Sequence, residues 1–239
     1  MNSTRPTVVL VHGALTDASV WRSVSAALQE QGVSVLAPAL PMRSFEGDVA
    51  YVRSVLEGRE GPLVVVAHSY AGSVVSAPAA LTPAVRALVF VAAFQQDAGE
   101  TPGGLNGQFP GSRLVPENLL LREYPGGTEV SLRLERFAEV YAADVDAREV
   151  AIMSAAQHPF DARTLEGGFS GTPTWRSLPS WALVSTSDVS IPTQALRHMA
   201  SRAGSTVVEV DSSHAVPVAH PDAVVGIIGS AVQAVATDH

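Results

Sequence analysis

Apolar residues in this chain fall into short unbroken runs, separated by stretches in which they recur every three or four positions. Thr7-Val8-Val9-Leu10-Val11, Val33–Ala37, Pro62–Ala67, Val85–Ala92, Trp181–Ser185 and Thr206–Val210 are runs of the first kind. Short continuous runs rich in β-branched residues mark strands buried on both faces. Helical spacing holds over about Asp17–Gln31, where Val20, Trp21, Val24, Ala27 and Leu28 share a face. It returns over about Glu46–Gly58, from the turn after Ala67 to about Leu81, over Thr193–Ala203 and over Pro221–Val235. Asp17-Ala18-Ser19 is a start signal for the first of these helices and Gly32 a stop. Strands alternating with helices imply right-handed βαβ units. The expected fold is therefore α/β, a mostly parallel sheet of about six strands flanked by helices.

The rhythm breaks over residues 94–176. Glycine and proline clusters there (Pro102-Gly103-Gly104, Pro125-Gly126-Gly127, Gly167-Gly168) surround helical patterns near Glu129–Ala142 and Asp146–Gln157. In the first pattern Val130, Leu134, Phe137 and Tyr141 recur at helical spacing. A long excursion in an otherwise regular fold commonly forms a lid. The expectation is one domain over residues 1–239 with a helical lid insertion at 94–176.

Composition narrows the field. A chain of 239 residues with 46% hydrophobic and 16% charged positions can bury one sizeable core. Its net charge of −8, with no block of basic residues, argues against a nucleic-acid partner. The absence of cysteine excludes disulfides, thiolate metal sites and a cysteine nucleophile, and fits a reducing compartment. No spacing of His, Asp or Glu reads as a metal site, and no phosphate-loop or dinucleotide fingerprint occurs, so neither metal nor cofactor is expected. Met1–Thr7 lacks a basic stretch leading into an apolar signal core, and no run approaches the roughly 18 apolar residues of a membrane helix. Asn2-Ser3-Thr4 reads as a chance sequon at a frayed end. These features predict a cytoplasmic protein with no membrane partner, and leave a homodimer open.

The chemistry centres on Val64-Val65-Val66-Ala67-His68-Ser69-Tyr70-Ala71-Gly72. A β-branched run ends in a serine between small residues, and a helix-compatible segment follows. That is the pattern of a nucleophile elbow, whose tight turn leaves no room for long flanking side chains. A serine hydroxyl is a poor nucleophile at neutral pH and needs a base, which in turn needs an orienting group. His214 follows the last strand and Asp188 the one before it, both at carboxyl ends, the edge where open α/β sheets bind ligands. Asp97, after the fourth strand, is a rival acid, and Asp211 more simply caps its turn. Backbone N–H groups of Tyr70 and Ala14 are positioned to stabilise an oxyanion. His12 reads as a hydrogen-bonded scaffold residue, and His68 as a structural residue directed away from the nucleophile. Leu15, Phe137, Tyr141, Trp175 and Val189 are the expected lining of a substrate pocket.

Taken together, Val9-Leu10-Val11-His12-Gly13-Ala14, Ala67-His68-Ser69-Tyr70-Ala71-Gly72, Asp188 and His214 resemble the α/β-hydrolase fold superfamily. Within it, the chain is similar to small bacterial esterases related to plant methyl esterases and hydroxynitrile lyases. The resemblance spans residues 6–236 and implies ester hydrolysis without a cofactor. Ser69 would attack, His214 would take and return the proton, and water would release the acyl group. The implied substrate is a small or medium apolar ester, a methyl ester or a lactone. Two features depart from the resemblance. The superfamily's leading antiparallel strands are missing. The lyases also carry a threonine where this chain has Gly13 and a lysine where it has Ala215, which weakens a cyanide chemistry. Lyase or perhydrolase activity on the same three residues, and a non-catalytic ligand-binding role, are the alternatives.

Overall fold

A computed structural model describes residues 5–237; the Asn2-Ser3-Thr4 sequon lies outside them. Six of the apolar runs pair in parallel into one sheet: β1 (Thr7–Val11), β2 (Val35–Leu36), β3 (Leu63–His68), β4 (Val85–Val91), β8 (Ser180–Ser185) and β9 (Thr206–Val210). Their order is β2-β1-β3-β4-β8-β9. Strand order reverses between β1 and β3, so the loops leaving their carboxyl ends flank a crevice, where ligands of such sheets bind.

Register divides the β-branched runs between two cores. Val9 lies beside Val65, and both feed the layer that includes Phe45, Val49, Val52 and Val74. Val8 lies beside Val64, and both feed the opposite layer with Trp21, Val24, Leu28, Met199 and Ile228. The helices behind these residues are α1 (Arg22–Glu30), α2 (Phe45–Glu57), α3 (Ala71–Ser76), α7 (Thr193–Ala203), the short α8 (Val216–Ala219) and α9 (Pro221–Thr237). Ser44 caps α2, its hydroxyl accepting the Gly47 N–H at 3.0 Å. Asp17 starts a 3₁₀ turn, Ala18–Trp21, which leads into α1. Two elements fall short of their expected length. β2 is only two residues, at the sheet's edge. α3 ends at Ser76 rather than near Leu81 because Pro78 drives Ala77 into extended backbone (φ −68°, ψ 128°). No described helix is long and apolar enough to cross a membrane.

Between β4 and β8 the chain departs from the expected all-helical insertion. It holds α4 (Pro102–Gly107), a three-stranded antiparallel sheet of β5 (Leu119–Tyr124), β6 (Gly127–Leu132) and β7 (Phe160–Asp161), and helices α5 (Leu134–Tyr141) and α6 (Ala147–Ala155). The helix anticipated from Glu129 therefore begins only at Leu134. Val130 and Leu132 are buried at a spacing of two, and Leu121 pairs with Val130 across the hairpin. Partners supplied by β5 and β7 outweigh the local helical spacing. Buried Glu129 is matched by Arg43 at 3.2 Å and by Arg122.

Candidate active site

Ser69 stands on the turn from β3 into α3 with φ +56°. This left-handed backbone is strained for a non-glycine residue, and it is over-determined by close packing on both sides. A Cβ on Gly13 would lie 2.6 Å from the Ser69 Cβ, and one on Gly72 would lie 2.1 Å from the Phe94 carbonyl oxygen. Only glycine fits either place. The Ser69 N–H donates to the Val91 carbonyl at 3.3 Å, and its carbonyl accepts from Gly72 and Phe94 at 3.0 and 3.2 Å. The hydroxyl is thus lifted above the carboxyl end of the sheet.

Loops after β8 and β9 bring the other two side chains to it. His214 Nε2 lies 2.8 Å from Ser69 Oγ, and His214 Nδ1 lies 2.6 Å from Asp188 Oδ2. A buried carboxylate can only accept, so Nδ1 carries the ring proton and Nε2 presents its lone pair to the serine hydroxyl. Asp188 is itself held, with Oδ1 accepting the N–H groups of Ser190 and Ile191 at 2.8 and 2.9 Å. Ser69, Asp188 and His214 are all buried. Asp97 is elsewhere, paired with Arg176 at 2.5 Å, so between the two acids it is Asp188 that meets the imidazole. Asp211 accepts from the Ser187 hydroxyl at 2.6 Å.

The C-terminal turn of α5 fastens these loops. Helix ends leave carbonyls without intrahelical partners. Here the Val140 carbonyl accepts from the Ser190 hydroxyl at 2.7 Å, and the Tyr141 carbonyl accepts from the Ala215 N–H at 2.9 Å and the Ser213 hydroxyl at 3.2 Å. The Tyr141 ring stands edge-on to the His214 ring at 4.8 Å, and its hydroxyl reaches Thr16 at 3.3 Å.

Two further histidines brace the site from behind. His12 Nε2 accepts the Leu40 N–H at 2.8 Å, so its Nδ1–H donates to the Gly13 carbonyl at 2.8 Å. Burial lowers the His12 pKa to about 4. His68, expected as a structural residue directed away from the nucleophile, packs its ring against His214 at 4.8 Å, and its Nε2–H donates to the His214 carbonyl at 2.9 Å. Burial holds it neutral too, its pKa well below the usual histidine range. Neither the Ala14 nor the Tyr70 N–H has an acceptor among the described residues. Tyr70 is oriented through its side chain, which donates to buried Asp48 at 2.9 Å.

Above Ser69 lies a cavity of about 370 Å³. Of the five residues anticipated as pocket lining, Leu15 and Tyr141 face it. Phe137 does not; it stacks on the far side of Tyr141 at 5.1 Å. Trp175 is also elsewhere, its indole N–H donating to the Gln96 carbonyl at 2.9 Å and its ring covered by the Arg176 guanidinium at 4.6 Å. Val189 turns its carbonyl to the Arg113 N–H at 2.7 Å, while its neighbours Ser190 and Ile191 face the cavity. Phe109, Leu114, Leu119, Phe160 and Leu165 complete the apolar wall. No local sequence signal distinguished them, because segments distant in the chain bring them together. Asp48 did leave a signal, an acid within the apolar stripe Phe45, Val49, Val52 and Leu56 of α2.

Solved structures share this architecture. A pyrethroid hydrolase from Sphingobium faniae JZ-2 superposes with a TM-score of 0.80 at 21% identity, covering 96% of this chain and 98% of its own. Polyneuridine aldehyde esterase gives 0.81 at 17%, covering 95% and 99%. Tomato methylketone synthase I, complexed with 2-tridecanone, gives 0.79 at 16%, covering 95% and 97%. No curated protein matches the chain in sequence. The model of the alpha/beta hydrolase family matches residues 8–227, nearly the whole chain, and this protein therefore belongs to that family.

Proposed function

We propose that the protein is a serine esterase acting on small or medium uncharged carboxylic esters, methyl esters or lactones. The observation that carries this reading is the hydrogen-bonded line Asp188–His214–Ser69, 2.6 and 2.8 Å per link, at the floor of an apolar cavity. His214 Nε2 takes the hydroxyl proton as Ser69 Oγ attacks the ester carbonyl. Asp188 stabilises the imidazolium that forms. The Ala14 and Tyr70 N–H groups receive the negative charge on the former carbonyl oxygen. As the intermediate collapses, the alcohol departs with the proton from His214, leaving Ser69 acylated. Water then gives a proton to His214 and attacks the acyl carbon; the acid leaves, and the proton returns to Ser69 Oγ.

Residues 94–176 act as the lid of this chamber, and their apolar side chains shield the reacting carbonyl from bulk solvent while admitting the hydrolytic water. Fold-level likeness to a pyrethroid hydrolase and to polyneuridine aldehyde esterase is in keeping with ester chemistry, without transferring either substrate. The test is Ser69→Ala. Hydrolysis of p-nitrophenyl butyrate should fall by about 10⁴-fold or more, and a fluorophosphonate should label the native chain at Ser69 but not the variant. Turnover that survives the substitution would sink the reading. Absence of any label on the native protein would point instead to a ligand-binding role.

A further inference from the structure

Asp48 takes no part in the proton path just described, yet its carboxylate is completely buried. Burying an acid among apolar residues is costly unless its oxygens are paired. Both are: Oδ1 accepts the Met42 N–H and Oδ2 the Tyr70 hydroxyl, each at 2.9 Å. Met42 has a left-handed backbone, φ +59°, which this bond helps to hold. Two residues earlier the Leu40 N–H is held by His12, whose other nitrogen bonds the Gly13 carbonyl. The loop 40–42 thus hangs between two buried side chains. One fastens the peptide before Ala14, and the other fastens the ring of Tyr70. These are the two residues whose N–H groups face the oxyanion in the proposed mechanism.

We propose that Asp48 is a positioning residue for the oxyanion-binding pair, fixing through the Tyr70 hydroxyl the peptide that presents the Tyr70 N–H to the reacting carbonyl. The inference rests on the esterase reading. Such a donor contributes only when aimed at the place the oxyanion will occupy, and a misplacement of a fraction of an ångström weakens it. Asp48 also sets the spacing between the two donors, because loop 40–42 links it to His12.

The experiment compares Asp48→Asn and Tyr70→Phe with the native protein, counting reactive sites by fluorophosphonate end-point. Per reactive site, kcat for p-nitrophenyl butyrate should fall about tenfold, with KM changed less than about twofold. Inhibition by an alkyl trifluoromethyl ketone should weaken by a matching factor. That compound forms an Oγ–carbon bond to Ser69 as the hydroxyl proton passes to His214, placing its oxyanion on the same donors. The double variant should be no slower than the worse single one, because both remove one device. Tyr70→Phe keeps the buried acid, so it carries the test should Asp48→Asn fail to fold. Unchanged kcat and unchanged ketone inhibition per reactive site, with only the folded fraction reduced, would overturn the proposal and leave Asp48 a fold-stabilising residue. A native protein that neither hydrolyses the ester nor takes the label would remove the esterase reading, and this proposal with it.

Discussion

At Ser69, left-handed backbone costs on the order of 1–3 kcal/mol, and the chain supports it by bringing Gly13 and Gly72 into contact that no Cβ would permit. The small-residue spacing around Ser69 made this turn readable in advance. The same sequence did not reveal which acid meets His214. Asp97 and Asp188 both follow strands, and only the paths of their loops separate them. His12 was legible as a scaffold residue because a histidine before a glycine turn can tie two backbones together. Its titration follows from burial. With a folded pKa of about 4 against 6.5 when unfolded, its neutral form is the folded one, so stability is fully present above about pH 6.5. As pH falls toward 4 the unfolded chain binds the proton first, and about 3 kcal/mol is lost. His68 acts in the same direction. In urea titrations between pH 7 and 4.5, His12→Gln should show a shallower loss of stability than the native protein. An unchanged slope would mean that His12 is hydrated in the folded state.

Among the elements, runs with their own period were legible: α7 and β9 lie where spacing predicted them. β6 did not, because Val130 also fits the helical spacing of Leu134, Phe137 and Tyr141, and only the partners β5 and β7 make its segment a strand. α5 shows how an element outside the parallel sheet supports the site. Its terminal carbonyls are satisfied by the loops of Asp188 and His214 rather than by a local cap. Ser190→Ala removes one such bond and leaves the Val140 carbonyl unpaired in a buried place, which should cost about 1–3 kcal/mol in denaturant unfolding. A loss well under 0.5 kcal/mol would show that the carbonyl finds another donor. By contrast Leu120 and Leu121, on β5, are about half exposed, and neither has a part in the site.

At the scale of the whole molecule, sheet and segment together make one chamber with no Asp, Glu, Lys or Arg in its wall among the described residues. A carboxylate-bearing substrate would lose its hydration there and gain no counter-charge, in a protein of net charge −8. Native protein should therefore favour p-nitrophenyl butyrate over p-nitrophenyl hemisuccinate by about 100-fold or more in kcat/KM. Comparable rates would mean that the segment 94–176 stands open to water when substrate binds.

By itself the sequence determined the parallel sheet, the elbow and the shared carboxyl edge at which Ser69, His214 and both candidate acids arrive. Those properties are written locally: β-branched runs set strands, small residues permit the turn, and alternation of strand and helix fixes which edge the loops share. The tertiary structure alone decided the chamber and its supports. Phe137, Trp175 and Val189 are apolar residues of suitable type, yet none lies on the cavity wall, while Phe160 and Leu165 reach it from β7 and the 3₁₀ turn after it. Asp48 lies 21 residues before Ser69 in the chain and meets Tyr70 only when α2 packs against the elbow. Which side chains share a wall depends on non-local packing, and no periodicity within one segment encodes it.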